Sequence, residues 1–177
     1  MPFQENTSSS KCARIIERQA SQSTTESPAF LLTKRCANPT FGEIFMFAYI
    51  WVAIGGALGS VGRYWFSGLV ARHFGETFPW GTLLVNISGS FVIGLFAALT
   101  GPDGRWLVPP WFRQQFFMLG VCGGYTTFSS FSLQTLSLME DGEWLAGGAN
   151  VLFSVVCCLV AVWLGHLLAA NLNSSPR

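Results

Sequence analysis

Four stretches of this chain run for twenty residues or more almost without a charge: 46–70, 81–100, 114–139 and 146–170, interrupted only by Arg63. Crossing the hydrocarbon core of a bilayer takes ~20 predominantly apolar residues in a helix. Hydrocarbon offers backbone amides no partners, so segments of this kind must close their own hydrogen bonds as helices. The sequence therefore predicts an all-α membrane protein with four transmembrane helices. Composition points the same way, with 11% charged residues against roughly 25% in soluble domains. The connections are short and carry turn residues: Pro79 in the first, Pro102, Pro109 and Pro110 in the second, Asp141-Gly142-Glu143 in the third. Trp51, Trp65, Trp80, Trp106, Trp111 and Trp144 lie toward the segment ends, where amphipathic rings favour the headgroup level.

Residues 1–45 are different. They contain the run Ser-Gln-Ser-Thr-Thr-Glu-Ser-Pro at 21–28, which buries too little apolar surface to offset the entropy of ordering. The expectation is a polar, disordered and dispensable extension over 1–45, with Met46 a natural start for a four-helix domain over 46–177. It has no basic region leading directly into an apolar run, so it does not read as a signal peptide. The five cysteines, Cys12, Cys36, Cys122, Cys157 and Cys158, show no CxxC or Cys/His spacing. They imply neither a disulfide framework nor a metal–thiolate site.

From Met46 onward Arg63, Arg72, Arg105, Arg113 and Arg177 balance Glu76, Asp103, Glu140, Asp141 and Glu143. A neutral body gives no reason to expect a nucleic-acid partner. With four spans, Arg105, Arg113 and Arg177 share one side and Arg72 takes the other, a slight bias under the positive-inside rule. Such a body inserts either way up, a dual topology, and the expected location is the plasma (inner) membrane.

The spans carry polar and small residues in patterns. Gly55 and Gly59 make a GxxxG pair, which lets helix backbones approach closely. Arg63 lies deep enough that it must either snorkel to the interface or find acceptors: the carbonyls of a broken helix, or an anion at a pore mouth. Asn86, Ser90 and Gly94 recur every four residues and share a helix face. Asn150, Ser154 and Cys158 repeat the device in the last segment. Each stripe reads either as interhelical hydrogen bonding or as a track lining a pathway.

The third segment is the oddest. Gly120, Gly123 and Gly124 lead into Tyr125, Thr126, Thr127, Phe128, Ser129, Ser130, Phe131 and Ser132. Glycine costs about 1 kcal/mol against alanine inside a helix. An unwound backbone survives at membrane depth only when it is buried in protein or lines a cavity. The sequence thus predicts a third helix broken at Gly-Gly-Tyr-Thr-Thr-Phe-Ser.

Three motifs are similar to those of one known family: Gly55-Gly-Ala-Leu-Gly-Ser-Val-Gly-Arg63-Tyr64, Gly81-Thr-Leu-Leu-Val-Asn86-Ile-Ser-Gly-Ser-Phe91, and Gly120-Val-Cys-Gly123-Gly124-Tyr-Thr126-Thr-Phe128-Ser-Ser-Phe131-Ser. In these residues the chain resembles the Fluc (CrcB-like) fluoride channels over about Met46 to Ala170. The resemblance implies an antiparallel homodimer of four-helix subunits that exports fluoride passively. It implies that Asn86, Phe128, Phe131, Ser130 and Ser154 line the fluoride pore. It also implies a structural sodium ion on the backbone carbonyls of Gly123 and Thr126 at the dimer interface, and Arg63 as a pore-mouth or structural anchor. Relatives often carry a glutamate where this chain has Gln134, so no carboxylate role carries over to that position.

Enzymatic and energy-coupled roles find no support. There is no GxxxxGK phosphate loop. The alternative is a small four-helix multidrug-type transporter. Proton coupling there needs a carboxylate in the membrane core, and after Met46 every acidic residue lies in a loop or at a segment end.

Overall fold

The computed structural model describes residues 41–75, 77–102 and 104–174. The extension over 1–45, with Cys12 and Cys36, lies outside the described residues apart from the helical backbone at 41–45. The chain divides into Met1–Ile44 and Phe45–Arg177, and the second unit is described below.

Every regular element among the described residues is helical. Helix α1 is Phe41–Phe74 and α2 is Trp80–Leu99. Helix α3, Phe112–Cys122, is wound as a π-helix and ends in a single α-turn, Gly123–Tyr125. Helices α4, Phe128–Glu140, and α5, Trp144–Ser174, complete the unit. Three helical stretches are long and apolar enough to cross a membrane: Met46–Phe74, Trp80–Leu99 and Trp144–Ser174. The remaining apolar segment is divided among α3, its α-turn and α4. Their outer surface is that of a lipid-facing protein, with Leu58, Val61, Leu133, Leu145 and Leu159 exposed.

With no hydrophobic drive between helices in lipid, close backbone packing must hold them. Two glycine seams supply it. On α2 and α5, a Cβ added to Gly94 would strike the Val162 carbonyl, and one on Gly165 the Phe91 carbonyl. On α1 and α3, a Cβ on Gly55 would strike the Phe116 carbonyl, and one on Gly59 the Val121 carbonyl. The Gly55/Gly59 pair therefore acts as a packing motif, pressing α1 onto the stretch from Phe116 to Tyr125.

One end of the bundle is tied by cations at helix C-termini, where the unpaired carbonyls attract them. Arg113 donates from Nε to Thr100 Oγ1 at 3.0 Å and from Nη2 to the Ala97 carbonyl at 3.3 Å. Arg105 donates from Nη1 to the Leu172 carbonyl at 2.9 Å, and Asn173 Nδ2 donates to that of Ala98 at 3.1 Å. These bonds carry α5 to Ser174, beyond the end at Ala170 read from hydropathy. At the other end of α5 the chain turns through Gly142, whose φ of 83° is a left-handed value that favours glycine. Its N–H donates to Met139 at 3.1 Å and that of Glu143 to Leu138 at 2.8 Å, which closes α4 with a Schellman motif.

Candidate ion pathway

After Tyr125 the chain leaves the helix for two residues. Thr126 has φ −77° and ψ 151°, and Thr127 φ −149° and ψ 117°. Helix α4 then starts with Thr127 as its N-cap, Oγ1 accepting from the Ser130 N–H at 3.2 Å. Ser, Thr, Asp and Asn are preferred there because a side-chain oxygen satisfies a free amide.

Two extended residues interrupt the ladder, so carbonyls before the break and amides after it need other partners. The Thr126 N–H and hydroxyl both donate to the Cys122 carbonyl at 2.9 Å. Ser60 Oγ on α1 donates to Gly124 at 3.4 Å. The Thr127 N–H, which a continuous helix would direct to Gly123, donates instead to Asn86 Oδ1 at 2.8 Å. Asn86 Nδ2 returns a bond to the Thr127 carbonyl at 3.0 Å. No side chain among the described residues donates a hydrogen bond to the carbonyls of Gly123, Tyr125 or Thr126. Gly123 is exposed. No group of three His, Cys, Asp or Glu side chains is placed to hold a metal ion among the described residues. A cation at the break would therefore rest on backbone oxygens, the ligands that hard cations take.

Beside the break runs a groove of about 420 Å³. Asn86, Gly123, Thr126, Phe128, Phe131 and Ser154 all line it, with Ser90 and Cys158. Six of the eight site residues that the resemblance implies thus meet in one place. No Asp, Glu, His, Lys or Arg lies among its lining residues. The Phe128 and Phe131 ring centroids are 5.3 Å apart with planes at 48°. Phe128 is 77% exposed and Phe131 only 8%. Asn86 keeps its second Nδ2 hydrogen, since the amide carries two. Ser154 is buried, and its hydroxyl has no partner.

Ser130 and Arg63 are not in this groove. They line a second cavity of about 750 Å³ with Ser60, Ser67, Thr127 and Gln134. Thr127 borders both spaces. Arg63 makes no hydrogen bond or ion pair among the described residues, so it does not tie down the carbonyls of the break. Gln134 Oε1 is buried without a partner.

The two polar stripes divide. Asn86 and Ser90 reach the groove, whereas Gly94 packs on Val162. Ser154 and Cys158 reach it, whereas Asn150, 1% exposed, does not. Its Nδ2 donates to Thr135 Oγ1 at 2.8 Å, and that hydroxyl donates to the Phe131 carbonyl at 2.8 Å. Asn150 is thus an interhelical fastener. Thr127, by contrast, borders both cavities, and sequence reasoning gave it no role. Its signal was the hydroxyl three residues ahead of Ser130, the spacing of an N-cap.

Residues 50–166 match the family described as "CrcB-like protein, Camphor Resistance (CrcB)". The chain is 64% identical over 129 residues to a protein of Opitutus terrae named fluoride-specific ion channel FluC, covering 73% of this chain and 97% of that one. It is 65% identical over 125 residues to a protein of the same name from Rhodospirillum rubrum, covering 71% and 96%. A third of that name, from Paramagnetospirillum magneticum, is 57% identical over 128 residues, covering 72% and 99%. With the greater part of its length matched to the family and nearly the whole of each relative covered, the chain belongs to the CrcB-like family.

Proposed function

We propose that this protein is a fluoride-selective channel that lowers cytoplasmic fluoride by letting the anion leave passively across the plasma (inner) membrane. One observation carries the reading: the groove beside the break joins neutral donors and a phenylalanine pair, with no charged side chain among them. Its relatives are named for the same ion.

Fluoride is small and strongly hydrated. A pore must replace its water with donors that release it again, because conduction needs binding firm enough to enter and weak enough to leave. A lysine or arginine in the groove would hold the ion. The free Nδ2 hydrogen of Asn86 and the unpartnered Ser154 hydroxyl are neutral donors. The rims of Phe128 and Phe131 carry the positive edge of the ring quadrupole. At the cavity with Arg63, the Ser130 hydroxyl continues the series of donors toward water. An inside-negative potential drives the anion outward at ~2.3 kcal/mol per 100 mV. The groove holds no carboxylate for proton coupling, which disfavours the multidrug-type alternative.

The functional unit in this proposal is an antiparallel homodimer. Helices α3 and α4 together form the third of four spans, broken at Thr126–Thr127. The exposed Phe128 and Gly123 support an additional surface over the groove, and the balanced charges support opposite insertion of two copies. The carbonyls of Gly123 and Thr126 would hold a sodium ion, which supplies positive charge to oxygens that otherwise repel one another.

Liposomes containing the purified chain test this, with a fluoride electrode outside. Fluoride efflux without chloride efflux is the expected result; no fluoride efflux, or equal efflux of both anions, overturns it. Chemical cross-linking in the same liposomes should trap a two-chain species.

A further inference from the structure

The Tyr125 side chain is the last of α3's α-turn and the one immediately before the break. Its ring lies near Phe66, with centroids 6.4 Å apart. It packs against the bare flank of Gly89, where a Cβ would crowd the ring, and lies within ordinary contact range of Gly62. The hydroxyl reaches α2, where Oη stands 3.1 Å from Ser88 Oγ. Ser88 already directs its proton to the Leu84 carbonyl at 2.8 Å, with Val85 at 3.1 Å. Its lone pairs are thus left for Tyr125, and the tyrosine is the donor.

This bond acts together with the Asn86 pair. Three consecutive residues are fixed to α2. Tyr125 is held through its hydroxyl by Ser88, and Thr127 through its backbone by Asn86. Between them, Thr126 presses its Cγ2 against the bare flank of Gly89, where a Cβ would collide with it. Asn86 and Ser88 are two residues apart, about 200° around a helix, so the break straddles α2 and is gripped on either flank. The peptide between Thr126 and its neighbours therefore has little freedom to turn.

We infer that Tyr125 is a positioning residue, whose bond to Ser88 sets the direction of the Gly123 and Thr126 carbonyls and so the strength with which they hold a cation. The inference rests on the proposed sodium site. A carbonyl set that is already aimed loses less freedom on binding than one that must be ordered by the ion. Tyr125→Phe keeps the ring in its slot and removes only the hydroxyl.

The experiment titrates sodium, against N-methyl-D-glucamine at constant ionic strength, into the full chain in detergent. Thermal unfolding and the cross-linked dimer fraction are the readouts. Tyr125→Phe raises the sodium concentration at half-effect roughly two- to ten-fold, as the loss of one hydrogen bond predicts. At saturating sodium it restores the parent plateau. Ser88→Ala does the same, and the double variant shifts no further, because one bond is lost in all three. If the parent chain is indifferent to sodium, the sodium site and this inference fall together. If the parent responds and Tyr125→Phe has an unchanged midpoint, the positioning role alone falls. It also falls if the variant is weakened equally at every sodium concentration, or if the two single effects add.

Discussion

Asn86 and Thr127 pair as two peptide groups do in a sheet, though 41 residues separate them: Oδ1 accepts the Thr127 N–H at 2.8 Å and Nδ2 donates to the Thr127 carbonyl at 3.0 Å. The side chain acts as a piece of backbone that the chain lacks at its break. Asn86→Ala leaves both Thr127 groups bare and should destabilise the protein by about 1–3 kcal/mol, measured by thermal unfolding in detergent. Asn86→Asp keeps the acceptor, loses the donor and sets a negative charge on the proposed anion path. It should retain assembly by cross-linking yet reduce fluoride efflux below detection.

Phe128 and Phe131 touch but differ in what they support. Phe131 is buried, and Phe131→Ala should cost about 3–5 kcal/mol in stability. Phe128 projects into the groove at 77% exposure. Phe128→Ile should unfold at nearly the parent temperature and still abolish fluoride efflux in the electrode assay, since an alkyl group offers no polarised rim.

The glycine seam between α1 and α3 admits no side chain. Gly59→Ala drives a methyl into the Val121 carbonyl and the Tyr125 N–H, and overpacking of this kind costs about 1–3 kcal/mol. Gly148 on α5 has nothing within 4 Å of its missing Cβ. Gly148→Ala should be neutral or stabilising by up to ~1 kcal/mol from helix propensity. Thermal midpoints of the two variants, compared in one detergent, give the contrast.

Asn150 tests which half of its stripe is a pathway. Asn150→Leu removes an interhelical bond worth ~1 kcal/mol in a membrane and should lower the unfolding temperature modestly. Fluoride efflux per reconstituted chain should stay close to the parent value. Ser154→Ala should do the reverse, sparing stability and slowing efflux several-fold, because its hydroxyl makes no bond within the protein.

Scarcity of charge made α1, α2 and α5 legible, because a lipid solvent constrains every residue of a span. Helix ends were less so. Arg105, Leu172 and Asn173 look like loop material until tertiary hydrogen bonds satisfy the last turns. Four-residue spacing showed which polar side chains share a face, but a face is broader than a groove. Asn150 and Ser154 lie one turn apart on α5, yet one meets Thr135 and the other meets open space. Likewise Ser130 sits between the two phenylalanine positions in sequence and opens onto the other cavity, since neighbours in a helix point some 100° apart. The π-winding of α3 left no sign, because propensity and hydropathy scarcely distinguish it from an ordinary helix.

That winding bears on how such a chain tolerates changes in its length. Loss of one residue from an α-helical span turns everything beyond it by about 100° and misaligns whatever the far end carries. Helix α3 is anchored at one end by Arg113 on α2's terminus and at the other by Gly120 against Gly55. Between these anchors its π-turns hold more residues than α-turns of the same height. A single deletion between 114 and 119 has a place to go: the turns tighten toward α, the anchors stay, and the break keeps its alignment. Across Trp80–Leu99, where the turns are already α, the same deletion has no slack to consume.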